Sequence, residues 1–261
     1  MIPLLRRWRR ARLAREPFPS AWRAILRQRF RYYGLLTSTE QRRLQRMIHL
    51  FLAEKRFEGC AGLEITDEIR VTIAAQACLL LLNRDDDLYP GLQSILVYPN
   101  SYVAPGQFVD EVGVVHEGEE HRAGEAWSRG SVVLAWDEVR RDAADFRDGY
   151  NVTLHEFAHQ LDQQDGSFDG APRLAHTAHY RSWARTLMKE YRALQRAAER
   201  GEATVIDQYG ATDPAEFFAV VTEAFFTEPK ALRTQHPALY RELRRFYRQD
   251  PAERLERRVK R

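Results

Sequence analysis

The feature that most constrains this chain is a His-Glu-x-x-His motif within the segment Val152–Asp162. In a helix with about 3.6 residues per turn, His155 and His159 lie about one turn apart and project from one face. Two neutral imidazoles so placed can occupy two positions around a tetrahedral zinc ion. Glu156 is offset around the helix, where its carboxylate can reach a metal-bound water without taking a metal position. The motif therefore predicts a zinc hydrolase, in which the metal polarises the substrate and Glu156 transfers the proton.

Two histidines leave zinc one protein ligand short, and downstream carboxylates could fill that position. Asp165 lies six residues after His159, where the metzincin pattern places its third ligand. That pattern requires a turn glycine at position 162, where this chain has Asp162. Asp207 precedes Tyr209 with a spacing one residue too short for an aspartate-ligand zinc motif. Spacing therefore gives neither Asp165 nor Asp207 strong support.

Glu216 and Glu223 are the other two candidates, on a helix predicted to begin at Pro214. They lie seven residues apart and share one face of a strongly apolar helix, so each needs a partner if it is buried. Glu216 also fits a capping box with Asp213 as the N-cap, and the local sequence leaves ligand and cap equally open. Glu223 and Asp162 could each instead accept a hydrogen bond that orients a histidine ligand, or be ordinary helix carboxylates.

Tyr209 is the remaining candidate, in a loop before the Glu216 helix. Its phenol could donate a hydrogen bond to the oxyanion of a tetrahedral intermediate. For a lone tyrosine, however, ordinary packing is the better explanation. The local sequence therefore does not assign a catalytic role to Tyr209.

Apolar periodicity and caps predict a mainly helical α+β protein with one small β-sheet and the motif on an active-site helix. Thr37 and Glu40 form a capping box that opens a helix extending to about residue 56, and Asp67 is predicted to cap the next helix. The strand signals lie in residues 95–98, 108–115 and 126–136. Of these, residues 131–136 are predicted to be a strand whose exposed edge pairs with an extended peptide, or else a buried central strand.

Three segments are expected along the chain. Residues 1–20 are predicted to be a basic, flexible N-terminal arm. Residues 21–90 form an N-terminal helical part, and residues 91–261 form the catalytic part, with both parts in one compact unit.

Composition narrows the class of protein. With 44% hydrophobic and 30% charged residues, the chain has the balance of a soluble globular protein. The two cysteines, Cys60 and Cys78, cannot form a disulfide scaffold and lack zinc-ligand spacing, which favours the cytoplasm. The longest apolar run, residues 77–82, is too short for a membrane span. Basic residues concentrate at both ends, but no nucleic-acid-binding motif accompanies them, so solvated helix faces explain them best.

The paired motifs resemble those of a known family. The segment from Tyr209 through Glu216 into the apolar helix, downstream of the His155–His159 motif, resembles the Mlc titration factor A family. The likeness covers residues 36–251 and excludes the arginine-rich first fifteen residues. Members of that family are cytoplasmic bacterial zinc peptidases with a catalytic core similar to that of anthrax lethal factor.

The resemblance implies a zincin-like metallopeptidase that binds one Zn²⁺ per chain. It implies His155, His159 and Glu216 as the zinc ligands, Glu156 as the general base and Tyr209 as the stabiliser of the transition state. It also favours aminopeptidase-like cleavage of small peptide substrates. Glu216 is thereby preferred as the third ligand over the other carboxylates.

A binding function is the rival prediction. The family takes its name from sequestering Mlc, a transcriptional repressor, and such binding needs no catalysis. A Mlc-like repressor is therefore a possible partner beside a peptide or protein substrate. A structural zinc site is a weaker alternative, because such sites are usually closed by four protein ligands.

Overall fold

The structure of the protein is a computed structural model. The structure describes residues 3–13, 15–100, 102–109, 115–122, 124–127, 130–147 and 149–259. The predicted mainly helical architecture with a small sheet is confirmed in these residues.

The N-terminal part consists of four α-helices and a 3-10 turn at residues 31–35. The helices are α1 (Pro3–Leu13), α2 (Ser20–Arg29), α3 (Ser38–Glu54) and α4 (Asp67–Leu80). The predicted capping box is confirmed, since Thr37 and Glu40 exchange side-chain and backbone hydrogen bonds at the start of α3. The cap of α4 is Thr66, whose hydroxyl accepts from the Ile69 backbone, and Asp67 is the first helical residue rather than the cap.

The main sheet has four strands in the order β1-β2-β6-β5, and a separate hairpin is formed by β3 and β4. The strands are β1 (Arg56–Gly59), β2 (Ser94–Tyr98), β3 (Tyr102–Val109), β4 (Val115–Arg122), β5 (Gly124–Trp127) and β6 (Ser131–Ala135). Strands β1, β2 and β6 run parallel, and β5 pairs antiparallel to β6.

The sheet corrects the prediction of an exposed edge at residues 131–136. Strand β6 pairs with β2 on one side and with β5 on the other, so its backbone is already hydrogen-bonded in both directions. The strand at the end of the sheet on that side is β5, which contacts the motif helix. Trp136, predicted as a strand residue, begins the following helix instead.

The C-terminal part is helical. Its helices are α5 (Trp136–Ala144), α6 (Val152–Asp162), α7 (Tyr180–Glu199), α8 (Pro214–Thr227), α9 (Pro229–Gln235), α10 (Pro237–Tyr247) and α11 (Pro251–Val259). Prolines at the first helical position begin α8, α9 and α10, where the missing N–H costs no helix hydrogen bond.

One hydrophobic core joins both parts of the chain and positions α6 against α8. The core includes Ile48 and Phe51 of α3, residues of α4, Phe157 of α6 and Phe218 of α8. Helix α8 is buried over nearly its whole length, so any carboxylate on it must find a partner inside the protein.

The basic ends of the described chain form ion pairs rather than a uniformly solvated surface. In α1, Arg10 pairs with Glu54 and Asp87, at 2.5 Å in each case. In α11, Arg254 is buried and pairs with Glu40. The mobility expected of residues 1–20 stays a prediction.

Membrane insertion of a helix finds no support in the described residues. None of their helices is both long enough and apolar enough to cross a bilayer.

Candidate metal centre

Helix α6 carries the motif, and side chains cap the backbone N–H groups of its first turn. The Asn151 side chain accepts a hydrogen bond from the Leu154 backbone at 2.8 Å, which makes Asn151 the N-cap. The Asp142 carboxylate accepts from the Val152 backbone at 2.8 Å. These contacts satisfy N–H groups that a helix start leaves unpaired, and they fix the rotation of α6 in the core.

Helix α8 supplies the carboxylate that faces α6. Asp213 caps α8 as predicted, accepting from the backbones of Ala215 and Glu216 at 2.8 and 3.0 Å. The Glu216 side chain does not complete a capping box. Its Oε2 lies 3.0 Å from Nε2 of His155 and 3.4 Å from Nε2 of His159. The two local interpretations of Glu216 are thus separated, because Asp213 serves the cap and Glu216 faces the histidines.

His155, His159 and Glu216 form a group that could hold a metal ion, and we call it the metal cluster. The two Nε2 atoms lie 3.1 Å apart, and the three pairwise distances among the converging atoms are 3.0, 3.1 and 3.4 Å. Ligands at about 2.0–2.1 Å in a tetrahedron stand roughly 3.3–3.4 Å from one another. The spacing of these three atoms is therefore close to that of zinc ligands.

The hydrogen bond at Nδ1 of His155 leaves its Nε2 facing the other residues of the metal cluster. Its Nδ1 lies 2.7 Å from Oε1 of Glu223, a partner that can only accept when it is ionised. Nδ1 therefore donates, and Nε2 of a neutral His155 directs a lone pair at the other two groups. With His155 in this tautomer, its Nε2 and the Glu216 carboxylate face each other in an arrangement compatible with a bound metal ion.

Glu223 positions His155 from the side opposite the metal cluster. Its second oxygen, Oε2, accepts from the Asn151 backbone at 2.5 Å, so one buried carboxylate ties the histidine to the start of α6. Burial raises the pKa of Glu223, and both hydrogen bonds oppose that effect. This is the orienting role predicted as one alternative for Glu223.

The pKa shifts of the metal-cluster residues reflect the charges and hydrogen bonds around them. Burial by itself would raise the pKa of the Glu216 carboxyl, but hydrogen bonds with His155 and His159 outweigh it and lower the pKa to about 2. Burial disfavours charge on His155 too, but the charge of Glu223 and the hydrogen bonds to both glutamates raise the pKa of His155 well above its usual value. Burial lowers the pKa of His159. The surrounding carboxylates therefore stabilise positive charge at the metal cluster.

The other proposed third ligands lie in different settings. Asp165 is exposed and accepts from the backbone and hydroxyl of Ser167 at 3.0 and 2.6 Å. Asp207 is exposed and caps the 3-10 turn at residues 208–211. Asp162 accepts from the Gly170 backbone at 2.8 Å, which closes the loop after α6 rather than orienting a histidine. None of these three aspartates belongs to the metal cluster.

Glu156 and Tyr209 both lie near His155, but they differ in how much of the side chain is exposed. Glu156 is 4% exposed, and its charge is one of the influences that raise the pKa of His155. Tyr209 is 55% exposed in the turn before α8, and its ring centroid lies 6.2 Å from that of His155. A buried carboxylate and an exposed phenol thus both lie near His155 of the metal cluster.

Sequence reasoning missed two residues of this region. Phe168 is 48% exposed, and its ring centroid lies 5.0 Å from that of His159. No local signal marks it, because the loop after α6 is folded by Asp162 and Gly170. Asn151 is the N-cap of α6, and its residue type and its position before the motif are typical of that role.

Comparisons with known proteins identify relatives over most of the chain. A protein of Synechocystis sp. (strain ATCC 27184 / PCC 6803 / Kazusa), described as uncharacterized, is 43% identical over 94% of this chain and 89% of its own length. Mlc titration factor A of Klebsiella pneumoniae (strain 342) is 35% identical over 84% and 83%. Mlc titration factor A of Serratia proteamaculans (strain 568) is 34% identical over 85% and 86%. Residues 5–248 match the family described as glucose-regulated metallo-peptidase M90. The chain therefore belongs to the glucose-regulated metallo-peptidase M90 family.

Proposed function

We propose that this protein is a zinc-dependent metallopeptidase of the zincin type that hydrolyses peptide bonds. The observation that carries the proposal is the convergence of His155 Nε2, His159 Nε2 and Glu216 Oε2 at ligand spacing. Three protein ligands leave a position for water or substrate, as catalytic zinc sites do. The family matched by the chain supports metallopeptidase chemistry.

The chemistry divides among the residues around the metal cluster. When bound there, Zn²⁺ supplies a Lewis acid and lowers the pKa of a coordinated water. Glu156 is the general base, which accepts the proton of the attacking water and returns it to the leaving amine. The Tyr209 phenol donates a hydrogen bond to the oxygen on which negative charge develops. Glu223 holds His155 in the tautomer that leaves Nε2 available.

The substrate proposed is a short peptide, cleaved in an aminopeptidase-like manner in the cytoplasm. Strand β5 ends the main sheet on the side of α6, so an extended peptide can add to it as a further strand beside the metal cluster. Residues 21–90 and 91–261 act as one folded unit in this proposal, because helices of both share one core.

Metal analysis of the purified protein beside a Glu216→Ala variant tests the proposal. We expect about one zinc per wild-type chain, strongly reduced zinc in the variant, and cleavage of a peptide library by the wild type alone. The Glu64→Ala variant is the matched control, because Glu64 is exposed and lies outside the metal cluster. Unchanged zinc in Glu216→Ala would move the third ligand to Asp165, Asp207 or Glu223.

Binding of a Mlc-like transcriptional repressor is the second candidate function. It is favoured by the relatives named Mlc titration factor A. The Glu156→Gln variant separates the two functions, since it should lose peptide cleavage and keep its fold. A binding function alone predicts that the wild type binds the repressor but cleaves no peptide.

A further inference from the structure

A cavity lies apart from the residues of the metal cluster. It has a volume of about 590 Å³ and is bounded by residues 84–90, the segment before α7, and the C-terminal half of α10. None of the three metal-cluster residues lines it. Sites for small molecules usually measure about 300–1,000 Å³, so this cavity has the size of a ligand site.

One wall of the cavity is aromatic and buried. Trp183 and Phe246 are 2% and 7% exposed, and their ring centroids lie 5.2 Å apart. The Arg84 guanidinium stacks on the Phe246 ring, 3.7 Å from its centroid. The small exposed part of these two rings is the apolar surface that they offer to a ligand, and Arg84 places a buried cation beside it.

The three consecutive aspartates at the rim are already paired with arginines. Asp85 pairs with Arg248 at 2.5 Å, and Asp86 pairs with Arg84. Asp87 pairs at 2.5 Å with Arg10, which does not line the cavity. Each of these three carboxylates is therefore matched by an arginine cation.

Hydrogen-bond donors remain in the cavity after this pairing. The amide nitrogen of Gln164 is buried and has no hydrogen-bond partner among the described residues. Arg173 is exposed, and no ion pair links it to a carboxylate in the part of the chain that the structure describes. Arg245 has only a loose contact with Glu242, at 3.8 Å. A buried amide donor without a partner is unfavourable, and Gln164 lines the cavity, so a ligand acceptor there would give this donor a partner.

His176 and His179 add two imidazoles to the same opening. Their rings meet edge to face, with centroids 5.2 Å apart, and His176 is exposed while His179 is half-buried. An imidazole N–H can donate to an anionic oxygen. The lining of the cavity thus includes several hydrogen-bond donors as well as Trp183 and Phe246.

We propose that this cavity binds a small organic anion whose phosphate or carboxylate group meets Gln164, Arg173 and Arg245. The apolar part of the ligand packs against Trp183 and Phe246. Phosphate esters and carboxylic acids share the anionic chemistry that the donors recognise. This site is separate from the metal cluster, and the proposal does not depend on peptidase activity.

Calorimetric titration of the zinc-loaded full chain with four probes tests the proposal. The probes are phenyl phosphate, phenylacetate, inorganic phosphate and benzyl alcohol. We expect saturable binding of phenyl phosphate or phenylacetate with a Kd below about 1 mM, and weaker binding of the other two probes. The tighter of the two aromatic anions identifies the headgroup. Inorganic phosphate binding as tightly as phenyl phosphate would contradict the role of the aromatic wall.

Variants locate the binding. The double substitution Arg173→Ala and Arg245→Ala should raise the Kd of the anion at least about tenfold, since each substitution removes a charge-assisted hydrogen bond. The matched control is Arg192→Ala with Arg196→Ala, two exposed arginines of α7 that do not line the cavity. Equal weakening in both double variants, or no saturable binding to the wild type, would overturn the proposal. Circular dichroism checks that both variants are folded.

Discussion

The metal cluster between α6 and α8 and the ion pairs at the chain ends both set carboxylates against basic side chains, but they differ in burial. His159 of the cluster is 4% exposed, and Glu223 behind it is 2% exposed. In the terminal pair of α1, the side chains of Arg10 and Glu54 remain 29% and 16% exposed. Buried charges interact strongly because little water screens them, whereas exposed pairs contribute little. Substitutions in or beside the metal cluster should therefore change zinc binding or peptide cleavage. Substitutions in the ion pairs at the chain ends should change the free energy of unfolding.

The largest effect is expected for Glu156→Gln. Glutamine keeps the shape of the side chain but cannot accept a proton as a base. The rate of peptide cleavage should fall about 10²–10⁴-fold while zinc content stays at the wild-type level. Parallel measurement of kcat and bound zinc checks this. Full activity in Glu156→Gln would remove Glu156 from the proposed mechanism.

Arg254→Ala is the most demanding test of the comparison between the metal cluster and the chain ends. Arg254 belongs to a terminal helix but is buried, as His159 of the metal cluster is. Arg254 is 8% exposed, pairs with Glu40 and donates to Gln249 at 2.8 Å. Its removal leaves Glu40 without that partner and should lower the free energy of unfolding by about 3 kcal/mol. Urea denaturation measures the loss, and zinc content should be unchanged. A loss of zinc in the folded variant would show that the terminal pairs are coupled to the centre.

Tyr209→Phe should impair catalysis without changing metal binding. The substitution removes only the phenolic hydroxyl of an exposed ring, so the fold should be kept. Loss of one donor to the developing negative charge should lower kcat about 10²-fold. Steady-state kinetics with a peptide substrate and zinc analysis check this result. If KM alone rises, Tyr209 binds the substrate rather than stabilising the transition state.

Glu223→Gln sharpens the contrast inside the centre, because Glu223 touches His155 but lies outside the metal cluster. An amide is a weaker acceptor for His155 Nδ1 than a carboxylate. Zinc affinity should therefore fall about 10–100-fold. Competition with a chelator measures the affinity. Unchanged affinity would show that the position of His155 does not depend on Glu223.

The smallest effect is expected for Arg10→Ala. Its pairs with Glu54 and Asp87 are partly exposed, so the free energy of unfolding should fall by about 1 kcal/mol or less. Cleavage and zinc content should match the wild type. The measured loss should also shrink in high salt, because salt screens exposed pairs. A loss as large as that of Arg254→Ala would contradict the comparison.

The sequence predicted those parts of the fold that depend on local interactions. The capping box at Thr37 and Asp213 at the start of α8 form as expected, because a cap needs only residues three or four positions away. Strand β1 was not predicted, since its residues are mostly exposed and lack apolar alternation. Its pairing with β2, distant in sequence, makes it a strand. Helix α7 begins at Tyr180 after a loop whose Arg173 carbonyl accepts a hydrogen bond from Arg84, a contact between segments distant in sequence.

The sequence by itself determined that His155 and His159 share one helix face, because helical geometry sets that spacing within five residues. It also identified the carboxylates that could join them, and the family resemblance preferred Glu216. Only the tertiary structure decided which carboxylate faces the pair and that Glu223 lies behind His155. That choice depends on how α6 and α8 pack around a shared core, and no local spacing encodes the angle and depth of two helices distant in sequence.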